Sequence, residues 1–152
     1  MTTQNSTKLK FRLVSCSSQD PQHPISDLIN NLSETEGWQS VRFCDFPQEI
    51  TLQFLSPVSV RQMQFLSHQY KIASKVEIFT YLPEIWDPIS NNNIKFKKLG
   101  YLTLEKNEGS NFKARELKSI FLDAPCSYIK LVLHKNHQNK FNVFNQVLLT
   151  KL

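Results

Sequence analysis

Glycine is scarce in this chain. Only Gly37, Gly100 and Gly109 occur among 152 residues, so neither G-x-G-x-x-G nor G-x-x-x-x-G-K-[ST] can be written, and the backbone cradles that hold dinucleotides and nucleotide phosphates are excluded. Cysteine is also sparse. Cys16, Cys44 and Cys126 are odd in number, widely spaced and without a C-x-x-C, which speaks against a disulfide framework and fits a reducing compartment. Each reads as a small buried hydrophobe rather than a nucleophile. No run of eighteen apolar residues is present, so no helix is expected to span a membrane. The first seven residues, Met1 to Thr7, are polar and lack the apolar core of a signal peptide. The sequons Asn5-Ser6-Thr7 and Asn31-Leu32-Ser33 therefore read as chance matches.

What the chain does have is 40% hydrophobic residues and eleven Phe. That is too apolar for a disordered chain, and the length suits one domain that buries about two thirds of its unfolded surface. The apolar residues repeat mainly with period two, the signature of strands. Leu9, Phe11 and Leu13 alternate with Lys8, Lys10 and Arg12, and Ile50, Leu52 and Phe54 with Glu49, Thr51 and Gln53. Further runs cover Val58–Leu66, Val76–Phe79, Leu99–Leu104, Leu117–Leu122 and Tyr128–Leu133, and the last alternates from Phe141 to Leu149. These make eight expected strands, with turns or loops at Pro21 and Pro24, Phe46-Pro47, Leu55-Ser56-Pro57, Leu82–Ile94 and Asn107–Ser110. Only Ile25–Leu32, behind Ser26-Asp27, reads as a short helix. Many short strands and almost no helix predict an all-β sandwich or barrel. Residues 1–7 read as a flexible tail and 8–152 as one domain.

Charge is unevenly placed. Residues 1–94 carry a net charge of −2 and residues 95–152 carry +7. A basic half of that size suits an acidic partner, although a solvated face of alternating strands gives the same count. Lys113, Arg115 and Lys118 form its densest segment and are candidate partner contacts. Nucleic acid is disfavoured, because most Phe fall on the apolar phase of strands rather than on an exposed stacking face.

Two more segments carry recognition chemistry. Trp38, Arg42 and Phe43, on an expected loop, are of the types that dominate binding hot spots; Trp38 fits equally well as a plug at one end of a sandwich. Asn136, His137, Asn139 and Lys140 lie in an amide-rich stretch from His134 to Gln146. Amides offer donors and an acceptor to a peptide or a sugar, and they also satisfy turn backbone. His134 and His137, at i and i+3 on a strand end, point to opposite faces and make a poor metal pair. No nucleophile elbow or strand-end acid–base pair singles out a catalytic residue. The sequence therefore predicts no enzyme, cofactor or metal.

Five segments in register bring a family into view. Gly37-Trp38-Gln39-Ser40 with Arg42-Phe43-Cys44 and Phe46–Ile50, His68–Lys75, Leu99-Gly100-Tyr101, Lys113–Ser119, and His134–His137 with Asn139-Lys140 and Asn145-Gln146-Val147 closely resemble the N-terminal domain of the family of the centrosomal protein of 104 kDa. The resemblance runs from about residue 10 to 150. It implies an eight-stranded antiparallel jelly-roll β-sandwich of the discoidin or galactose-binding-like type, with at most one short helix. It further implies a non-catalytic protein-interaction module found in cytoplasm and cytoskeleton, at centrioles, basal bodies and ciliary tips, where microtubule plus ends lie. Its partners would be other proteins of those structures, tubulin or microtubule ends among them, reached mostly through coiled-coil, TOG and zinc-finger parts that this sequence does not contain. A jelly roll gathers its loops at two ends, so Trp38–Phe43 and Asn136–Lys140 are expected to meet at one of them. The alternative is a lectin-like or ion-binding module, with Trp38 or Trp86 as a sugar platform. Its calcium form is disfavoured by the few acids of the second half, Glu105, Glu108, Glu116 and Asp123.

Overall fold

The computed structural model describes residues 9–30, 37–83 and 95–152. The expected tail over 1–7, both sequons, Trp86 and most of the Leu82–Ile94 excursion lie outside them. Among these residues seven strands and one α-helix follow in the order β1 Phe11–Cys16, α1 Ile25–Asn30, β2 Trp38–Gln39, β3 Gln48–Ser67, β4 Lys75–Tyr81, β5 Lys97–Thr103, β6 Leu117–Leu133 and β7 Leu148–Lys151, with one 3-10 turn at Glu108–Ser110. Every strand pair is antiparallel. The all-β jelly-roll architecture with a single short helix is the one expected.

Two strands organise the sandwich. β3 and β6 pair along nearly their whole lengths, with the register broken between Gln53 and Val58. Pro57 sits in that break and Pro125 faces Ser59 beside it; neither has an N–H to donate, so the ladder bends there most cheaply. On one side of the bend the order is β1–β3–β6–β4–β5, and on the other β2–β7–β3–β6. The two layers face each other closely: a Cβ at Gly100 of β5 would lie 4.0 Å from the Ile120 side chain of β6. The runs Ile50–Phe54 and Val58–Leu66 are thus one bent strand, as are Leu117–Leu122 and Tyr128–Leu133.

Between the layers lie Ile50, Phe65, Val76, Ile78, Leu131, Leu133 and Cys126, all essentially without solvent exposure. Each such aliphatic or aromatic side chain contributes about 1.5–3 kcal/mol relative to an exposed one. The Phe residues are distributed differently from the expectation. Phe54 and Phe65 are buried, Phe11 and Phe46 pack half-buried against the core, Phe79, Phe96, Phe112 and Phe144 are half-buried, and Phe43, Phe121 and Phe141 are exposed. The cysteines are free thiols, and burial pushes the pKa of each above its ordinary value, which suppresses the reactive thiolate.

The final run is the main departure. Its alternation from Phe141 to Leu149 predicts one strand, but only Leu148–Lys151 pairs, and residues 134–147 form a loop. Phe141 and Val143, two of the residues that create the alternation, are exposed on it. The reason lies in the amides between them, which close turns on their own backbone.

Candidate functional site: a basic cleft at one end of the sandwich

The 134–147 loop leaves β6 and fastens one end of the molecule. His137 N–H donates to the Ile72 carbonyl at 2.9 Å, and His137 Nε2 donates to the Leu104 carbonyl at 2.7 Å. Asn139 Oδ1 accepts from the N–H groups of Phe141 and Asn142 at 3.0 and 2.9 Å, an Asx turn, while its Nδ2 donates to the Tyr70 carbonyl at 2.9 Å. The buried Asn142 brackets Gln146: Nδ2 donates to its carbonyl at 2.7 Å and Oδ1 accepts its N–H at 3.0 Å. Asn145 between them is left-handed, with φ 49°, a conformation Asn tolerates better than most residues. Gln146, 1% exposed, reaches on to the Ser40 carbonyl at 2.9 Å. Asn136 is 4% exposed and donates to the His137 carbonyl at 3.1 Å.

Trp38 and its neighbours pack on the same loop. Trp38 belongs to a two-residue strand, β2, and is fully buried, its Nε1–H donating to the Ser18 carbonyl at 2.9 Å. This corrects its expected place on a loop and leaves it no surface for a partner: burying the indole satisfies both its apolar area and its one donor. Arg42 and Phe43 are exposed, with the Arg42 guanidinium 4.2 Å from the centre of the Phe144 ring and Phe43 edge-on to that ring at 5.9 Å. The segments 38–43 and 136–140 therefore join at one end through the 134–147 loop, yet Trp38 and Asn136 are interior, and the exposed residues are Arg42, Phe43, Gln138 and Lys140.

Next to this loop lies an open cleft of about 480 Å³. Lys113, Arg115 and Lys71 supply its positive charge and Tyr70 and Phe112 its aromatic walls, and among the described residues no carboxylate lines it. The 105–116 segment that carries Lys113 and Arg115 is held against β3 by the Asn107 side chain, whose Nδ2 donates to the Gln69 carbonyl at 2.9 Å, and by Ser67 N–H to the Glu116 carbonyl at 3.0 Å. Three positive-φ residues, Asn107, Asn111 and Phe112, fold that segment back on itself. Phe141, at the tip of the 134–147 loop, bridges the walls, with its ring centre 5.3 Å from that of Phe112 and 5.6 Å from that of Tyr70.

His68 shapes the floor. Its Nδ1 accepts from the N–H groups of Tyr70 and Lys71 at 3.3 and 3.2 Å, which places the ring proton on Nε2. Burial, reinforced by the positive charges of Lys71 and Arg115, holds its pKa down at about 4, so the imidazole is neutral at physiological pH. Lys71 Nζ donates to Gln39 Oε1 at 2.6 Å, tying the cleft to β2. Gln69, also lining the cleft, has a buried Oε1 that accepts no hydrogen bond.

The basic half of the sequence thus reaches more than one place. Lys113 and Arg115 line the cleft, whereas Lys118 is half-buried and 3.7 Å from Glu116. Lys75, Lys98 and Lys130 stand on the outer face of β4, β5 and β6, where Lys130 lies 4.9 and 4.8 Å from the ring centres of Phe79 and Phe96. Glu77 neutralises part of that face: Lys98 at 2.7 Å and His134 hold its carboxyl at about 2. His134 and His137 take unrelated partners, and among the described residues no three His, Cys, Asp or Glu side chains converge on a possible metal position. His68, Gln69, Tyr70 and Lys71 carry part of the family resemblance, but no spacing rule had marked them as a site. Their role comes from a loop packed beside them more than forty residues downstream.

A family model described as "Centrosomal protein CEP104, N-terminal domain" matches residues 37–152. The human Centrosomal protein of 104 kDa is 42% identical over 147 residues, covering 95% of this chain and 16% of the relative, so the chain spans only a small part of the curated relatives it matches. Two solved structures have the same fold. The family 32 CBM from C. perfringens NanJ, in complex with galactose, has a TM-score of 0.67 at 17% identity, covering 93% of this chain and 90% of that one. Reduced XRCC1 bound to the DNA pol beta catalytic domain gives 0.66 at 16% identity, with 94% of each chain covered. At such identities the likeness concerns the fold alone.

Proposed function

The chain belongs to the family of the CEP104 N-terminal domain, and from that membership we propose that residues 8–152 act as a non-catalytic protein-interaction module. The module serves a centrosomal and ciliary-tip protein and meets partner proteins through the loops around the basic cleft. The observation that carries this reading is the cleft itself: among the described residues Lys113 and Arg115 line it without a carboxylate, and the exposed Phe141, with Lys140 over its ring, packs on its aromatic walls. Arg and aromatic side chains supply most of the affinity at protein interfaces. The relatives' name is consistent with a place at the centrosome, centriole and cilium tip. That the XRCC1 neighbour is bound to a protein supports protein recognition only by analogy of fold. Partners at microtubule ends, tubulin included, fall within this proposal.

Crosslinking mass spectrometry in intact cilia tests it. Lys113, Lys118 and Lys140 are expected to crosslink to other proteins. If intermolecular crosslinks instead fall on Lys97, Lys98 and Lys130, and the three end lysines link only within the chain, the end loops are not the contact surface.

A further inference from the structure

We propose that the edge of β6 from Leu117 to Phe121 binds a second copy of this chain, pairing antiparallel with the same edge of that copy so that Ser119 faces Ser119 across a two-fold axis. This goes beyond the reading of the end loops and uses a different surface, so its failure leaves that reading standing. Three observations converge on it. The first is an edge left open. β4 pairs with β6 only from Tyr128 to Leu133, so among the described residues the segment Leu117–Phe121 has β3 on one side and no strand on the other. Its register with β3 is unbroken from Leu66 opposite Leu117 to Gln62 opposite Phe121, and the shift in this ladder comes after it. The other outer strands are less open to addition. β1 and β5 are interrupted by an extra residue, at Val14 and Leu99, and β2 has only two residues. Bulges and short strands close an edge to pairing.

The second observation is what the edge displays. Phe121 is 79% exposed and Leu117 59%. Between them on the same face of β6 stands Ser119, where a guarded edge would carry a lysine. Opposite them on β3 lie Gln62, Gln64 and the half-buried Leu66, none of them charged.

The third is self-complementarity, which selects the occupant. Residues directly opposed in an antiparallel pair share a face, and a two-fold axis makes each such contact occur twice. Centring the axis on Ser119 sets Leu117 against Phe121 of the second copy, and Phe121 against its Leu117. The same register sets Arg115 against Asp123 of the second copy. Both are exposed, and neither has an ion-pair partner among the described residues. Arg115 continues the face of Leu117 past the strand, since the Ser67 N–H to Glu116 carbonyl bond prolongs the ladder by one step. Neighbouring registers lose this match. An axis at Ile120 sets Leu117 against Asp123, one at Lys118 sets Leu117 against Ser119, and one at Phe121 sets Asp123 against Ser119. Aromatic–aliphatic and opposite-charge pairs are the cross-strand contacts that stabilise a sheet. An isologous edge is used up by its own pairing, so the assembly stops at two.

The test measures the mass of the whole chain by sedimentation equilibrium over a wide range of concentration. Expected is a reversible rise that levels off at twice the monomer mass. Phe121→Lys is expected to raise the dissociation constant by about tenfold or more. Arg115→Asp and Asp123→Arg are each expected to raise it by about fivefold or more, because like charges then face each other, and the double variant to return it toward that of the unaltered chain. Under mild oxidation Ser119→Cys is expected to link two copies through a disulfide that the unaltered chain does not form, since directly opposed residues lie about 4.5–5.5 Å apart at Cα, within disulfide reach. Gln64→Cys, one strand further from the axis, is expected to stay unlinked. Thermal melts accompany every variant, and Leu117→Ser replaces Phe121→Lys if that protein fails to fold. A chain that stays monomeric at every concentration overturns the proposal and opens the edge to a strand of another protein instead. Assemblies that grow beyond two copies, a dimer indifferent to Phe121→Lys, a charge swap that restores nothing, or a disulfide formed as readily by Gln64→Cys as by Ser119→Cys overturn it equally.

Discussion

The 134–147 loop and the 113–118 segment look alike in sequence, both polar, both rich in potential contacts, yet they do opposite things. In the loop, Asn139, Asn142 and Gln146 direct their side chains at backbone groups of their own end of the sandwich. In the segment, Lys113 and Arg115 are exposed over a cleft that no carboxylate lines among the described residues. A polar side chain is available to a partner only when the fold has not already satisfied it. Amides, which both give and accept, are readily absorbed by irregular backbone; Lys113 and Arg115 carry like charges and cannot satisfy each other.

Four measurements press on that contrast. The largest effect is expected from Asn142→Ala, which leaves the Gln146 N–H and carbonyl without partners in a buried site. Urea denaturation should show a loss of about 2–4 kcal/mol. Next is pH. His68 is held neutral in the fold, its pKa near 4 against an ordinary 6.5, so the unfolded chain takes up a proton that the native state refuses. Its contribution is complete above about pH 6.5 and is lost as pH falls from there toward 4, by about 2–3 kcal/mol. His68→Gln should flatten the stability profile in that window. Asn139→Ala comes third, at about 1–2 kcal/mol, since it opens one turn at a partly exposed position. Smallest is Lys113→Glu/Arg115→Glu, expected to move stability by less than about 0.5 kcal/mol. A large loss there would mean that these cations are structural, and the contrast would collapse.

Much of this fold is legible in the sequence, because period-two burial and turn residues act locally. β4 alternates Lys75, Glu77 and Phe79 outward with buried Val76, Ile78 and Thr80. What local pattern cannot show is whether Pro57 ends a strand or merely bends it, since that depends on β6 pairing across both halves. It also misreads Phe141 and Val143, whose alternation lies on a loop set by Asn139 and Asn142. The site was legible in part. Lys113 and Arg115 stand out by charge, but Trp38 was ambiguous between contact and core, and only the carbonyl of Ser18 waiting for its indole N–H decides that question. His68, Gln69 and Tyr70 gain their meaning from Phe112 and Phe141, at separations no window spans.

Backbone amide hydrogen exchange in the unaltered chain and in the Lys113→Glu/Arg115→Glu variant tests the contrast most directly. The buried amides of Gln146 and Val147, held by Asn142 and Ser40, should be equally protected in both proteins. Faster exchange at these amides in the variant would show that the cations hold the loop in place, and the contrast would fail.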